Sequence, residues 1–320
     1  MSGRYGICSS VAEAVGNTPL VALDRLCKGL KGRVAAKLEY YSPGGSIKDR
    51  PALAALEDAE KSGALKRGRP VVEVTSGNMG AGLAWACAVK GYKFIAVMSE
   101  GNTPERRKMI AAFGAKVVLV PQVSGGKKGQ VSHEDLIQVE QTAQQLVKKL
   151  KAFRPDQFAN PASVIAHFKG TGREIWEQTS GKVTHFVSFV GSSGTLIGTA
   201  KLLKERNPKI QIFCAEPEKA RFLAGKQVKS TSHKIQGGGY ALVPGIFDSD
   251  VIDDYIGVTD DEALDTARRL AAKEGIFGGV STGANVAAAM KIAKRAPKGS
   301  LIVTVCSDTG LKYLSTELYQ

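Results

Sequence analysis

Short apolar runs rich in valine and isoleucine alternate along this chain with segments whose apolar positions recur at helical spacing. In the first half, GRVAAKLEYY precedes a helical pattern from Ile47, PVVEVTS precedes one from Gly80, KFIAVMS precedes one near Glu105, and AKVVLVP closes the series. The second half repeats the scheme: THFVSFVGSSG leads into TLIGTAKLLKER, IQIFCAEP follows, and SLIVTVCSDTG comes after the helical STGANVAAAMKIAKRA. Strands alternating with helices predict a parallel sheet covered on both faces, because parallel neighbours need a long crossover between them. Between the halves, SGGKKGQVS reads as a loop and EDLIQVEQTAQQLVKKL as an amphipathic helix. The expected class is α/β, with a domain change near residue 150.

Composition narrows the setting. At 320 residues and 33.9 kDa the chain suits two domains or one large α/β unit. It has no apolar run long enough to span a membrane, and MSGRYGICSS has no apolar stretch behind a basic end, so a cytoplasmic protein without a membrane partner is expected. The five cysteines are widely spaced without a C-x-x-C pair, and the four histidines are scattered, which predicts reduced thiols and no metal. A net charge of +14 raises the possibility of nucleic-acid binding. The charges are dispersed and no nucleic-acid-binding signature is present, so a basic surface that draws in anionic small molecules is the expectation.

Ligands in open parallel sheets bind where strand carboxyl ends meet helix N-termini, and here those loops are small, polar and glycine-bearing. VTSGNMG, VGSSGTLIG and CSDTGLKYLST would ring one cleft with LEYYSPGGSIKDRPA. In the last segment Lys48 follows Gly44, Gly45 and Ser46, with Ser46 as a candidate helix cap. Lysine becomes reactive when burial or a neighbouring cation removes its proton near neutral pH, although a plain loop-to-helix junction also fits this segment. Gly191, Ser192, Ser193, Gly194 and Thr195 offer backbone N–H groups and hydroxyls to a phosphate, and equally make a tight turn. Neither a Walker lysine nor G-x-G-x-x-G spacing is present, so a phosphate monoester is favoured over ATP or NAD. A phosphate loop together with a reactive amine suggests pyridoxal 5'-phosphate.

The motifs VGNTPLVAL, KLEYYSPGGSIKDR, TSGNMG, PERRKMIAAFGAKVVLVP, DQFANPAS, GTGREIWEQT, GSSGTLIG, HKIQGGG, EGIFGGVSTGANVAAA and YLST run in order through nearly the whole chain. In that order they resemble the cysteine synthase and cystathionine β-synthase family of fold-type II pyridoxal-phosphate enzymes, closest in pattern to O-acetylserine sulfhydrylase. The resemblance implies two three-layer αβα domains with mostly parallel sheets: a smaller mobile one at 46–150, and a larger phosphate-binding one formed by 1–45 and 151–320. It implies that Lys48 holds the cofactor and then serves as general base, that Asn78 bonds the ring hydroxyl, and that Gly191 to Thr195 take the phosphate. Thr309 would face the ring nitrogen, with Asp308 one position out of register. Thr75, Ser76, Gly77, Met79 and Gln157 would bind the substrate carboxylate, and Gly237 would line the amino-acid site.

The implied reaction is β-elimination from an activated serine, O-acetylserine favoured, to an aminoacrylate, followed by addition of sulfide to give L-cysteine. O-phosphoserine dependence, cystathionine β-synthase or cysteine lyase activity, and a catalytically silent regulatory homologue are the alternatives. A homodimer is implied by the family alone. Three departures from the family pattern lie near the substrate: Met79 where threonine is common, Ser193 where glycine is usual, and the triple glycine Gly237 to Gly239. Arg221 is expected near the substrate entrance, where it would favour a phosphorylated donor or else remain a solvated arginine.

Overall fold

The structure, a computed structural model, describes residues 7–75, 77–102, 104–123 and 133–320. Along the chain it places β1 (Leu20–Ala22), β2 (Arg33–Leu38), α1 (Asp49–Lys61), β3 (Val71–Val74), α2 (Asn78–Lys90), β4 (Phe94–Ser99), α3 (Pro104–Ala112), β5 (Lys116–Val120) and α4 (His133–Leu150). Then follow α5 (Ala162–His167), α6 (Arg173–Gln178), β6 (His185–Phe189), α7 (Gly194–Arg206), β7 (Gln211–Pro217), β8 (Asp254–Val258), α8 (Asp260–Glu274), α9 (Val280–Arg295) and β9 (Leu301–Cys306). Ser76 and the loop SGGKKGQVS lie outside the described residues.

Two compact units divide the chain. One comprises Met1–Asn17, Ser42–Gly44 and Lys48–Pro155; the other comprises Thr18–Tyr41, Gly45–Ile47 and Asp156–Gln320. Residues 7–17 therefore join the smaller unit rather than the larger, because Ala12 and Val15 pack against its core. Around Lys48 the chain passes between units more than once instead of crossing at a single boundary.

In the smaller unit β3, β4 and β5 form a parallel sheet in that order. Successive strand residues point to opposite faces, and both faces are apolar. Val71, Phe94, Ala96 and Met98 pack with Ala52 and Leu56 of α1 and Leu83 of α2, while Val72, Val97 and Val120 pack with Val139 and Ala143 of α4. Burying each such valine or leucine contributes about 1.5–3 kcal/mol, which favours covering both sides.

Among its described residues the larger unit holds a six-stranded sheet, order β1-β2-β9-β6-β7-β8, in which only β1 is antiparallel to its neighbour. The same alternation builds two cores. Val34, Val187, Phe213 and Ile302 face Leu264 and Leu270 of α8 and Ala288 and Ile292 of α9; Phe186, Ile212, Val303 and Val305 face Ile175, Leu196 and Leu203. Strands β6 and β9 pair only at His185↔Ile302 and Phe186↔Val303. Beyond that point side chains replace the ladder: Thr304 Oγ1 donates to the Val187 carbonyl at 2.9 Å, and Asn285 accepts from Phe189 N–H at 2.6 Å and donates to the Val305 carbonyl at 2.9 Å. The buried backbone groups stay satisfied, and the strands part at their carboxyl ends.

Among the described residues no helix is long and apolar enough to cross a membrane, and no cluster of His, Cys, Asp and Glu is arranged to hold a metal. The cysteines are free thiols; Cys27, Cys87, Cys214 and Cys306 are buried and Cys8 is exposed.

Candidate active site

Lys48 occupies the N-cap of α1, with φ −73° and ψ −12°, and its side chain makes no capping bond. The helix does not start at Ile47 with Ser46 as its cap, as the sequence suggested. Ser46 is fully buried and forms a bridge with Asp308, and Ile47 N–H donates to the Ser307 carbonyl at 2.8 Å, so this backbone is committed to the end of β9. The helix begins one residue beyond Lys48. Its first residue, Asp49, is fully buried and accepts Gly44 N–H at 2.6 Å and Trp85 Nε1–H at 2.9 Å.

Glycine makes that arrangement possible. A Cβ on Gly44 would lie 2.4 Å from Asp49 Oδ1 and 2.8 Å from the Trp85 ring, and one on Gly82 would lie 3.0 Å from the Lys48 carbonyl oxygen. Helix α2 thus lies directly on the first turn of α1. Lys48 is only partly accessible, and burial pulls its ammonium down from the ordinary 10.5 to about 8. Lys37, fully buried in the larger unit, is instead engaged by Glu174 at 2.8 Å, the Thr18 carbonyl at 2.8 Å and Gln178 at 2.9 Å. Of these two lysines, it is Lys48 that is tuned towards a neutral amine.

The loop after β3 brings Thr75, buried, to Gly77 at the N-cap of α2, with Asn78 as its first residue. Helix N-termini carry N–H groups without intrahelical partners, and these suit a carboxylate. The Met79 side chain is 4 % exposed and belongs to the apolar core of this unit, so its backbone is what it can offer a ligand.

In the larger unit the loop from Gly191 leads from β6 into α7. Ser193 holds a left-handed backbone, φ 68°, and turns its hydroxyl back to the Ser192 carbonyl at 2.6 Å. The loop is built with bare backbone: a Cβ on Gly191 would lie 2.1 Å from Gly237 O, and one on Gly194 would lie 2.0 Å from Ser163 Oγ. The triple glycine locks beside it, with Gly239 N–H donating to the Val190 carbonyl at 3.2 Å. Gly237, φ 98°, has open space where a Cβ would stand. Gln157 lies in the turn just after Asp156, whose φ is 50°.

Thr309 Oγ1 accepts Leu311 N–H at 3.3 Å, which leaves its O–H to donate elsewhere. Asp308 is fully buried and accepts Tyr313 O–H at 2.9 Å, so its carboxylate is directed into the fold. A hydroxyl that sequence reasoning passed over is Ser281. It is 8 % exposed on the first turn of α9 and makes no side-chain hydrogen bond among the described residues, whereas the next residue, Thr282, accepts Ser307 N–H at 3.0 Å. The bridge Gly278↔Thr309 ties the approach to α9 to Thr309. Arg221 Nη2 donates to the Tyr255 carbonyl at 3.2 Å, and its guanidinium lies 3.9 Å from Glu218, so it is anchored to β8.

Taken unit by unit, the residues fit the two reactive ends of pyridoxal 5'-phosphate: within the smaller unit the desolvated lysine amine suits an aldehyde, and within the larger unit the helix N-terminus, with a backbone cradle that a Cβ would fill, suits a phosphate. Residues 11–308 match the family model described as pyridoxal-phosphate dependent enzyme. The chain belongs to that family. This pyridoxal-phosphate enzyme is 42 % identical over 312 residues to an O-ureido-L-serine synthase from Streptomyces lavendulae, covering 97 % of this chain and 92 % of the relative. It is 44 % identical over 310 residues to cysteine synthase 3 from Caenorhabditis elegans, covering 96 % and 88 %. A solved cysteine synthase from Entamoeba histolytica superposes with a TM-score of 0.91 at 35 % identity, covering 100 % of this chain and 93 % of that one. The parallel-sheet α/β architecture is that of a fold-type II enzyme.

Proposed function

We propose that this enzyme carries out β-replacement of the cysteine synthase type: O-acetyl-L-serine loses acetate and sulfide takes its place, giving L-cysteine. The observation that carries the reading is Lys48, an amine brought down to about 8 by burial at a helix start fixed by Asp49 and Trp85. Identity to cysteine synthases over nearly the whole chain supports the product, and likeness to a solved O-acetyl serine sulfhydrylase from Entamoeba histolytica supports the donor and the sulfide nucleophile.

When bound, the cofactor supplies an aldehyde for covalent linkage to an amino group and a ring that accepts electrons from the substrate α-carbon. Lys48 would hold the cofactor covalently, and its Nζ, once released, would take the substrate α-proton. A base near neutral in its working range contributes about 10²–10⁴-fold. Thr75, Ser76, Gly77 and the Met79 backbone bind the substrate carboxylate, with Gln157 as a further donor. Asn78 would donate to the ring hydroxyl, Gly191 to Thr195 would receive the phosphate, and Gly237 would line the amino-acid site. Thr309 would present a hydroxyl to the ring nitrogen. A hydroxyl does not hold a proton there as a carboxylate would, which suits loss of a β-leaving group. Ser281 is the second candidate for that position, favoured by its uncommitted hydroxyl.

A second nucleophile class is favoured by the identity to O-ureido-L-serine synthase, whose product name places oxygen on the β-carbon. The reading includes a cytoplasmic homodimer, which light scattering tests for assembly. The deciding experiment supplies the holoenzyme with O-acetylserine, O-phosphoserine, serine or cysteine, each with sulfide, with homocysteine and with an N-hydroxy nucleophile, and identifies products by mass. O-acetylserine with sulfide should give the highest kcat/KM. Failure of every pair would leave a catalytically silent homologue as the better reading.

A further inference from the structure

We propose that His167 is a positioning residue for the phosphate loop, acting through the hydroxyl of Thr195. His167 ends α5, is fully buried and has both ring nitrogens engaged: Nε2 lies 3.2 Å from Thr195 Oγ1, and Nδ1 lies 3.0 Å from Thr171 Oγ1. Thr195 is the second residue of α7, in the turn whose N–H groups point out of the helix start. The inference rests on the reading of Gly191 to Thr195 as the phosphate site.

The packing that brings the ring there is specific. A Cβ on Gly198 would lie 2.7 Å from His167 Cβ and 2.3 Å from the Val164 carbonyl oxygen, so α5 lies directly on α7. Behind His167 the helix widens into a π-helical segment, Phe168–Gly172, that carries Thr171. Gly172 lets this segment close on α7, since a Cβ there would lie 3.2 Å from Thr199 Cα. Helix insertions of this kind often re-aim side chains at functional sites.

A neutral imidazole has one N–H and one lone pair, and the partner of one nitrogen decides the state of the other. When Thr171 donates its O–H to Nδ1, the ring proton sits on Nε2 and is donated to Thr195 Oγ1. Thr195 then has its own O–H free to donate to an anion. In the other tautomer Thr195 spends its O–H on Nε2 and turns only lone pairs outward, which repels a phosphate oxygen. The proposed arrangement has Thr171 as the donor to Nδ1, which biases Thr195 towards donation.

The test uses the full chain, stripped of cofactor and titrated at equilibrium with pyridoxal 5'-phosphate and with pyridoxal, which has no phosphate. His167→Leu should weaken pyridoxal 5'-phosphate about tenfold, the scale of one lost hydrogen bond, leave pyridoxal unchanged and shift the phosphorus resonance of the bound cofactor. His167→Gln, which keeps an N–H donor, should restore affinity to within about threefold of the parent. Thr171→Val should weaken binding in the same direction as His167→Leu, and it serves as the readout where the leucine variant fails to fold. Equal losses for both ligands, or no rescue by glutamine, would overturn the inference and leave His167 as scaffold. Thr195→Val separates the two readings. If it alone weakens pyridoxal 5'-phosphate and His167→Leu does not, the inference fails; if Thr195→Val has no effect, the phosphate-loop reading fails first.

Discussion

The two units build the groups proposed to bind ligand by opposite means. In the smaller unit, side chains do the fixing: Asp49 takes hydrogen bonds from Gly44 and Trp85 and thereby sets the start of the helix that carries Lys48. In the larger unit, backbone does it: Gly191, Gly194, Gly238 and Gly239 pack where no Cβ fits, and the Ser193 hydroxyl is turned onto its own chain. A reactive amine needs a tuned environment, which side chains and burial provide. An anion needs several N–H groups converging, which only bare backbone provides at close range. Substitutions should accordingly do different damage in the two units.

The largest expected effect is at Lys48. On the proposed function Lys48→Ala removes covalent anchor and base together and should lower turnover of O-acetylserine with sulfide by more than about 10³-fold. The larger unit should still retain cofactor through its loop, so bound phosphorus and lost activity should coexist. Activity near that of the parent at full cofactor content would end the assignment.

A pH measurement on cofactor-free protein checks the same residue without catalysis. Lys48 loses its proton at about 8 when folded, against an ordinary 10.5. Between those values the unfolded chain holds more protons than the folded one, so Lys48 contributes a stability that rises with pH and a cost that is full below about 8. The unfolding free energy of the parent, relative to Lys48→Met, should climb from pH 8 towards pH 10.5. A flat difference would mean that the amine is not desolvated.

Much of this contrast was legible in the sequence because its cues are local. The apolar runs became β2 to β7 and β9, and GSSGTLIG forms a strand-to-helix loop as expected. Strand β8 and helix α8 were overlooked although VTDDEALDTARRLAAKEG carried a capping box, observed as Thr259 and Glu262, and a glycine stop at Gly275. Other features have no local signal. Asp49 and Trp85 meet across 36 residues, and Asn285 fills a parting between β6 and β9 that no pattern announces. Ser46 looked like a cap because serine often is one; its tertiary pairing with Asp308 overrode that propensity. Met79 stood out as a departure near the substrate, yet its side chain belongs to the core.

Trp85→Phe tests whether the side-chain clamp in the smaller unit matters as argued. It keeps the ring in its core and deletes one donor to a buried carboxylate, which should cost about 1–3 kcal/mol. Turnover should fall with it, by roughly threefold to tenfold, because Asp49 also holds the Gly44 turn ahead of Lys48. Unchanged melting would show that Asp49 is held without the Trp85 donor. Loss of cofactor phosphate contacts in this variant would break the division between the units.

The smallest effect should come from Ser193→Gly in the larger unit. Ser193 sits at φ 68°, where a side chain costs roughly 1–2 kcal/mol that glycine does not. Against this relief stand the lost hydrogen bond to Ser192 O, worth about 0.5–1.5 kcal/mol, and the greater freedom of glycine in the unfolded chain, about 0.5–1 kcal/mol. The terms nearly cancel, so stability should move by less than about 1 kcal/mol. Cofactor affinity should stay within about twofold, because a hydroxyl already donated to Ser192 O has no proton left for a phosphate. A tenfold loss of affinity would show that Ser193 turns outward when the anion binds, and the larger unit would then rely on side chains as the smaller one does.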